Sequence, residues 1–455
     1  MSTSSSSTHR SKPKIIYDKQ WQMTMPKLKL LVKKIFIFHA TLIIGICEIK
    51  LVGNFCANRL IGYRQGNLRR FASIIALEWA MFHLDLPIYL HLFSVFNSKL
   101  NILRAKNERL RIYCLIGFVL LLLMAHLTYL FYVVESFEVN SFIYDLSAIC
   151  NGIWIHLCLF CYGFMAYNIG MRMLSAFVSG RKLLDRLFSI PCIKFITLNR
   201  KFQVGLTLIL TALLSFSHWY SSDKFVIRHQ QLYLPRHTST KHPLKVAVLT
   251  DLHAGAAVYA EQIAKAVENV NKINDLDAVF LIGDIIDAPR DLIEERVESL
   301  RHLRSHFGTF FVTGNHEYYY GNVNEWFELF ESYGIKILKN RLHNHEMDVT
   351  AIKACPLNET TIVLEHNPSA TKQILAFSEN FSRPVDLILS GHTHAGQFLI
   401  VAPLARLFLP YFYGHYSLNN GAQLFVSAGT LFQNAPMKTP FMSEIWILEI
   451  KPFKN

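Results

Sequence analysis

VAVLTDLH, residues Val246–His253, decides the fold of the C-terminal half. Five apolar or β-branched residues run into a sharp Asp-Leu-His, the pattern of a buried strand that ends in a polar corner. The pattern recurs three times. AVFLI (Ala278–Ile282) runs into Gly283-Asp284, and TFFVT (Thr309–Thr313) into Gly314-Asn315-His316-Glu317. LIL (Leu387–Leu389) runs into Ser390-Gly391-His392-Thr393-His394. Each strand delivers Asp, Asn or His at its C-terminal end, and in an open α/β sheet that edge is where ligands bind.

These residue types at strand ends point to metal. Carboxylate, imidazole and amide oxygen together suit Mn, Fe or Zn, with little sign of a thiolate site. Asp251 and His253 lie two residues apart and could reach one cation from one side. Asp284 follows the next strand, and a carboxylate has two oxygens to share between cations. Asn315 adds a carbonyl oxygen, and His392 and His394 add a second alternating pair. Two divalent cations roughly 3.5–4 Å apart would clamp the attacking and leaving oxygens of an in-line phosphoryl displacement.

The order DxH, GD, GNHE, an isolated His and GHTH resembles that of the calcineurin-like metallophosphoesterases. HFGTFFVTGNHEYYYGNVNEWFELFESYGI (His306–Ile335) and LSGHTHAGQ (Leu389–Gln397) resemble the membrane-anchored branch known as transmembrane protein with metallophosphoesterase domain. The resemblance spans roughly Leu244 to Ile450. It implies that Asp251, His253, Asp284 and His394 hold a first metal, and that Asp284, Asn315, His366 and His392 hold a second. It implies that His316 binds no metal but faces the phosphate as general acid or transition-state stabiliser. A histidine suits that task because its charge changes near neutral pH.

Singly, each of these residues has a plainer reading, since an Asp at a strand end is commonly a helix cap or turn residue. The ordered set is what carries the metal reading. His366 stands in TIVLEHNP, a good strand-to-loop edge. The segment Asn340–Thr360 is shorter than the resemblance calls for, which leaves His343 and His345 as substitutes for His366.

The first half is of another kind. In a chain of 455 residues, 51% are hydrophobic and only 17% charged, below the usual quarter for a soluble domain. The net charge of +13 fits a membrane protein with basic loops as well as a nucleic-acid binder, and the membrane reading is preferred. Residues 1–34 read as a basic, disordered cytoplasmic tail without a cleavable signal. Residues 35–220 form a membrane region of about five transmembrane helices, near Ile35–Ala57, Phe71–Phe93, Tyr113–Val134, Phe142–Tyr167 and Phe202–Tyr220. The second contains Glu78, His83, Asp85 and His91, for which hydrogen bonding between helices is favoured over an ion path.

Basic residues set the expected topology. The tail, the link Asn97–Ile112 and the stretch from Arg172 to Lys201 are rich in Lys and Arg and belong in the cytoplasm. The link with Glu135 and Glu138 suits the outer side, which leaves the catalytic domain lumenal or extracellular. Asn58–Arg70 dissents, because it holds four Arg on the outer side unless the first segment is a re-entrant hairpin. Seven of eight cysteines lie in the membrane half and only Cys355 in the domain, so no disulfide is expected there. Asn358-Glu359-Thr360 and Asn380-Phe381-Ser382 are glycosylation sequons and lend weak support to the outer placement.

Residues 221–243 read as a polar connector and 244–455 as the metallophosphoesterase domain. Helical spacing covers Tyr259–Ile273, Leu292–Leu303 and Trp326–Tyr333, the last closed by Gly334. Late strands at Ala422–Ser427 and Ser443–Glu449 suggest a second sheet on the first. The aromatic runs Tyr318–Tyr320 and Arg406–Tyr416 could pack loops, rim the site or dip into lipid headgroups.

The expected fold class is therefore α/β: a helical multi-span membrane region followed by a two-sheet α/β sandwich. The expected function is a membrane-anchored, two-metal phosphoric ester hydrolase working by metal-activated hydroxide on mono- or diesters. Its partners would be the membrane and a phosphoester substrate, such as a phospholipid or a nucleotide, with no nucleic acid. The rivals are an inactive binding module on the same fold, and a membrane transporter or sensor carrying a phosphatase domain.

Overall fold

The computed structural model describes residues 23–57, 63–96, 104–130, 142–237, 243–255, 257–320, 322–338, 349–398 and 401–452. Residues 1–22 of the expected tail, Lys99, Glu135, Glu138 and the alternatives His343 and His345 lie outside them.

The N-terminal half is helical: α1 (Met25–Ala57), α2 (Tyr63–Leu92), α3 (Arg104–Leu130), α4 (Phe142–Ala176), the short α5 (Val178–Phe188) and α6 (Pro191–Leu198), and α7 (Arg200–Ser221). Five of these (α1, α2, α3, α4 and α7) are long and apolar enough to cross a bilayer, making this a multi-pass membrane protein. The expected tail ends early, because α1 is already helical at Met25. Lysines such as Lys27, Lys29 and Lys33 are good helix formers whose long stems let a span continue past the lipid boundary. Since α1 is one continuous helix, the re-entrant hairpin does not occur. Of Glu78, His83, Asp85 and His91 in α2, three bond between helices, while His83 bonds back to the Trp79 carbonyl of its own helix at 3.0 Å. Glu78 contacts His126 Nδ1, Asp85 lies 3.1 Å from His126 Nε2 and accepts from Trp154 Nε1 at 2.7 Å, and His91 meets Thr207 at 3.0 Å.

Among the described residues ten strands follow: β1 (Val226–Leu234), β2 (Leu244–Leu249), β3 (Ala278–Ile282), β4 (Thr309–Val312), β5 (Lys336–Ile337), β6 (Ile362–Leu364), β7 (Leu387–Ser390), β8 (Gly414–Ser417), β9 (Gln423–Val426) and β10 (Glu444–Pro452). Between them lie α8 (Ala260–Asn271), α9 (Arg290–Val297), α10 (Val323–Ser332), α11 (Thr371–Asn380) and α12 (Val401–Phe408). The expected helix Leu292–Leu303 is thus split. Its second half, Glu298–His302, is a tighter 3₁₀ turn.

One sheet has the order β1-β10-β2-β3-β4-β5 and the other β6-β7-β9-β8. The connector 221–243 is a correction: part of it is β1, parallel to β10 from Val226↔Glu444 to Leu234↔Pro452. Its polar reading hid Leu232 and Leu234, which alternate inward as a one-sided strand requires. The late strands also part company. β9 joins the second sheet, but β10 inserts into the first, between β1 and β2.

The sheets pack face to face through Val246, Val248, Ile282, Leu389, Phe425 and Leu448. The outer face of the first sheet is covered by α8, α9 and α10, and that of the second by α11. β2, β3 and β4 are therefore largely buried on both faces, which is why their sequences read as unbroken apolar runs. Helix α4 belongs to this core as well. Tyr144 and Ala148 pack with the cluster under the first sheet, and a Cβ on Gly152 would come within 2.5 Å of the Met437 sulfur.

Candidate metal centre

The C-terminal ends of β2, β3, β4, β6 and β7 converge, and β2, β3 and β7 each run at once into left-handed backbone. Asp251, His253, Asp284, His392 and His394 all sit at φ between 49° and 72°, the left-handed region that L-residues adopt at a cost of about 1–3 kcal/mol each. Five of the seven residues expected to hold metal are thus held in an unfavourable backbone state by their surroundings. The glycines of the motifs serve the same corner. Gly283 has φ of 70°, and its Cβ would lie 2.6 Å from the Gly314 nitrogen and 2.7 Å from the His366 ring. A Cβ on Gly314 would in turn strike the Asp284 carboxylate.

All seven expected residues meet here. Among the described residues three groups have donor atoms close enough to hold a metal ion each: Asp251, His253 and His394; Asp284, His366 and His392; and His253, Asp287 and His316. Asp284 Oδ2 lies 3.0 Å from His366 Nε2 and 3.9 Å from His253 Nε2, between the first two groups. Asp251 Oδ1 lies 3.3 Å from His394 Nε2. The Asn315 side-chain oxygen is buried with no hydrogen-bond donor, while its nitrogen donates to the Tyr319 hydroxyl at 3.1 Å.

The ring nitrogens fit a cation better than they fit one another. His253 Nε2 and His394 Nε2 approach to 3.0 Å, and His366 Nε2 and His392 Nδ1 to 3.3 Å. His366 donates from Nδ1 to the Ile282 carbonyl at 2.8 Å, which turns Nε2 toward Asp284. Burial holds His392 down at about 4 and His394 at about 3, so both are neutral imidazoles at physiological pH, the form that ligates metal. Burial would push the Asp251 and Asp284 carboxyls up, but the surrounding imidazoles, His394 and His366 foremost, keep both below the usual range. An orphaned oxygen, two ionised carboxylates and convergent imidazoles make a donor set that fits divalent cations.

His316 stands beside this set. Its backbone N–H donates to Asp284 Oδ1 at 2.8 Å, and its Nε2 lies 3.9 Å from Asp284 Oδ2 and 2.9 Å from the Gln433 amide nitrogen. Burial pulls its pKa down, but the carboxylates of Asp287 and Asp284 outweigh burial and hold it up at about 9.

Sequence reasoning passed over two carboxylates. Asp287 stands 3.0 Å from His253 Nδ1 and 2.5 Å from His316 Nδ1. Glu317 is fully buried and accepts from the backbone N–H groups of Asp284, Ile285 and Gly314 at 3.0, 2.6 and 2.6 Å. The signal for Asp287 was its place three residues after Asp284. That for Glu317 was an acidic side chain at the close of GNHE, where a strand end exposes unpaired donors. Behind the site, Lys438 is wholly buried and donates to the carbonyls of Gly429 and Leu431 at 2.7 and 2.6 Å. Burial lowers its pKa to about 8.

The membrane helices reach the rim. Arg70 at the start of the α2 span donates to the Tyr319 carbonyl at 3.3 Å and to the Tyr320 hydroxyl at 2.8 Å. Tyr320 is buried, whereas the Tyr319 ring lies 5.0 Å from that of His316. The aromatic run thus both packs its loop and borders the site. From the other side, Tyr144 and Asn434 hydrogen-bond at 3.3 Å, and Asn434 donates to Asn151 of α4 at 3.4 Å.

The profile of the calcineurin-like phosphoesterase family matches residues 244–396. A transmembrane protein with metallophosphoesterase domain from Danio rerio is 28% identical over 337 residues, covering 67% of this chain and 73% of that protein. Its counterpart in Bos taurus is 34% identical over 235 residues, and the chain spans about half of it, 52%. A metallophosphoesterase of Helicobacter pylori strain J99, uncharacterized in its own right, is 26% identical over 360 residues, covering 75% of this chain and 90% of that one. No solved structure gives a significant match.

Proposed function

Residues 244–396 belong to the calcineurin-like phosphoesterase family, in a chain similar to transmembrane metallophosphoesterase-domain proteins, and on that premise we propose that this protein hydrolyses phosphoester bonds. The observation that carries the reading is the convergence of Asp251, His253, Asp284, His366, His392 and His394 from separate strand ends, with Asn315 lining the same cavity as His392 and His394. Asp251, His253 and His394 would hold one divalent cation, and His366, His392 and Asn315 a second, with Asp284 shared. Mn, Fe or Zn bound there would supply the charge that activates the attacking water and steadies the leaving oxygen.

The residues of the chain do the rest. Asp287 and the Ile282 carbonyl fix the rings of His253, His316 and His366. Glu317 fixes the turn that carries Asp284. His316, held protonated by two carboxylates and pointing past Asp284, is placed to give a proton to the departing alkoxide.

The same reading includes sidedness. The N-terminal end of α2, the start of α4 and the end of α7 all touch the catalytic domain, through Arg70–Tyr320, Tyr144–Asn434 and Ser221–Lys438. The basic stretches 104–112 and 172–201 are then at the opposite ends of their helices. By the positive-inside rule those ends are cytoplasmic and the domain is lumenal or extracellular. Arg70 is accounted for by its tyrosine partners.

The test uses the full chain in detergent or nanodiscs. Metal content and metal-dependent hydrolysis of 4-nitrophenyl phosphate and bis(4-nitrophenyl) phosphate are compared with those of Asp284→Asn. Bound metal and turnover in the parent, with turnover abolished in a folded Asp284→Asn protein, support the reading. Equal turnover by both proteins, or none by a metal-loaded parent, rejects it.

A further inference from the structure

The candidate metal centre opens into a cavity of about 740 Å³, within the range of small-molecule sites. Its floor is polar and belongs to the catalytic domain, with Asn315, His316, His392 and His394 among the lining residues. Its far wall belongs to the membrane helices, where Ile74 and Leu77 of α2 and Ile155 of α4 supply apolar surface alongside Arg70, Ser73, Tyr129 and Asn151.

Position along the helices sets the depth. Arg70 marks the start of the α2 span and lines the cavity, as does Leu77 two turns further on. At 1.5 Å per residue the cavity runs about 10 Å down α2 into the apolar part of the span. Leu77 and Val401, the latter at the start of α12, both line the cavity and remain 40% and 38% exposed. Leu407 and Phe408 at the other end of α12 are 77% and 82% exposed, so this short helix presents large apolar side chains beside the mouth. Such a helix rests at the headgroup level of a bilayer.

We propose that the substrate is an amphiphilic phosphoester, a phosphate carried on an apolar chain, which reaches the Asp/His cluster from the bilayer through the cavity lined by α2, α4 and α12. The phosphate lies over His392, His394 and Asn315, with the guanidinium of Arg70 at the rim adding positive charge. The chain lies along Ile74, Leu77 and Ile155 and need not leave the lipid. Hydrolysis adds water across the P–O bond, releasing an alcohol and a phosphate or phosphomonoester, and it needs no other reactant. This inference rests on the phosphoesterase reading and adds the substrate class to it.

A homologous series tests it: n-alkyl phosphates, followed by phosphate release, and n-alkyl 4-nitrophenyl phosphates, followed by nitrophenol release, from methyl to decyl. The full chain in nanodiscs is assayed below the aggregation limit of each ester. The expected result is a rise in kcat/KM of at least 10-fold from methyl to decyl in one of the two series. In Leu77→Trp and Ile155→Trp, which fill the apolar part of the wall, that rise flattens to less than about 3-fold, with metal content retained. Metal-dependent hydrolysis that is indifferent to chain length in the parent overturns the proposal and leaves the phosphoesterase reading standing. So does a chain-length rise that persists in both folded tryptophan variants. Absence of metal-dependent hydrolysis of every ester, methyl and nitrophenyl included, defeats the phosphoesterase reading itself and this proposal with it.

Discussion

His316 Nδ1 lies 2.5 Å from Asp287 Oδ1, so the imidazole at the edge of the cluster is oriented by a carboxylate outside the seven residues expected to hold metal. The same oxygen lies 3.0 Å from His253 Nδ1. One buried side chain thereby sets the direction of a proposed ligand and of the proposed acid together, and it favours a proton on the inner nitrogen of each ring.

Asp287→Asn tests that coupling. The amide keeps the shape but loses the charge on the oxygen that both Nδ1 atoms face. Activity or metal affinity is expected to fall roughly 10–100-fold, the usual effect of losing a group that orients a metal ligand. Rates and metal titrations on the folded variant check it. Parent-like values for both would mean that the carboxylate orients nothing of consequence.

His316→Ala and His392→Ala separate proton donation from metal binding. His316→Ala should slow hydrolysis of alkyl esters by roughly 10²–10⁴-fold while metal stays bound. The loss should be smaller for nitrophenyl esters, whose leaving group needs no proton. His392→Ala should lose metal together with activity. Metal loss in His316→Ala, or an equal effect on both ester types, would remove the acid role.

Glu317→Ala concerns stability. Three buried backbone N–H groups, those of Asp284, Ile285 and Gly314, lose their acceptor, and each unsatisfied group costs about 1–3 kcal/mol. The apparent Tm should drop clearly, and Glu317→Gln, which keeps one acceptor oxygen, should drop less. An unchanged melting curve for the alanine variant is the contrary outcome.

Sidedness is open to a direct assay. Asn358 and Asn380 are both exposed on the catalytic domain, so expression in a glycosylating host should add glycan to at least one of them. In sealed vesicles of cytoplasmic-side-out orientation the domain should resist protease until detergent is added. Digestion without detergent would invert the topology.

Much of this was legible because the strand ends state their chemistry in order: the corners at Asp251, Asp284, Asn315 and His392 are spelled by adjacent residues, and the structure brings them together. His366 was harder to place from its short surroundings, yet its Nε2 stands against Asp284. What stayed hidden were relationships without a local signal. β1 was passed over because Arg228, His229, Gln230 and Gln231 look like linker, and only pairing with β10 makes them a strand. The extent of α1 has no such signal either, because the lysines that read as the end of a helix extend it. Asp287 was missed because its partners, His253 and His316, lie on different strand ends. The cavity against α2 and α4 could not be read at all, since it depends on how the two halves of the chain meet.

The insertion of β10 between β1 and β2 also orders the birth of the molecule. β1 emerges from synthesis directly after α7, with its natural neighbour still unmade at the far end of the domain. Until then it is a bare edge, tethered beside the lipid and prone to pair with any strand that passes. The contacts that close the sheet are long-range, and such contacts form slowly. Glu444 at the head of β10 accepts from the Ala428 N–H at 2.8 Å, and the Thr430 N–H donates to the Thr250 carbonyl at 2.8 Å, one residue before Asp251. The cluster therefore reaches its final shape only when the last strand threads home, and a ribosome that stalls short of it leaves an anchored but unfinished centre.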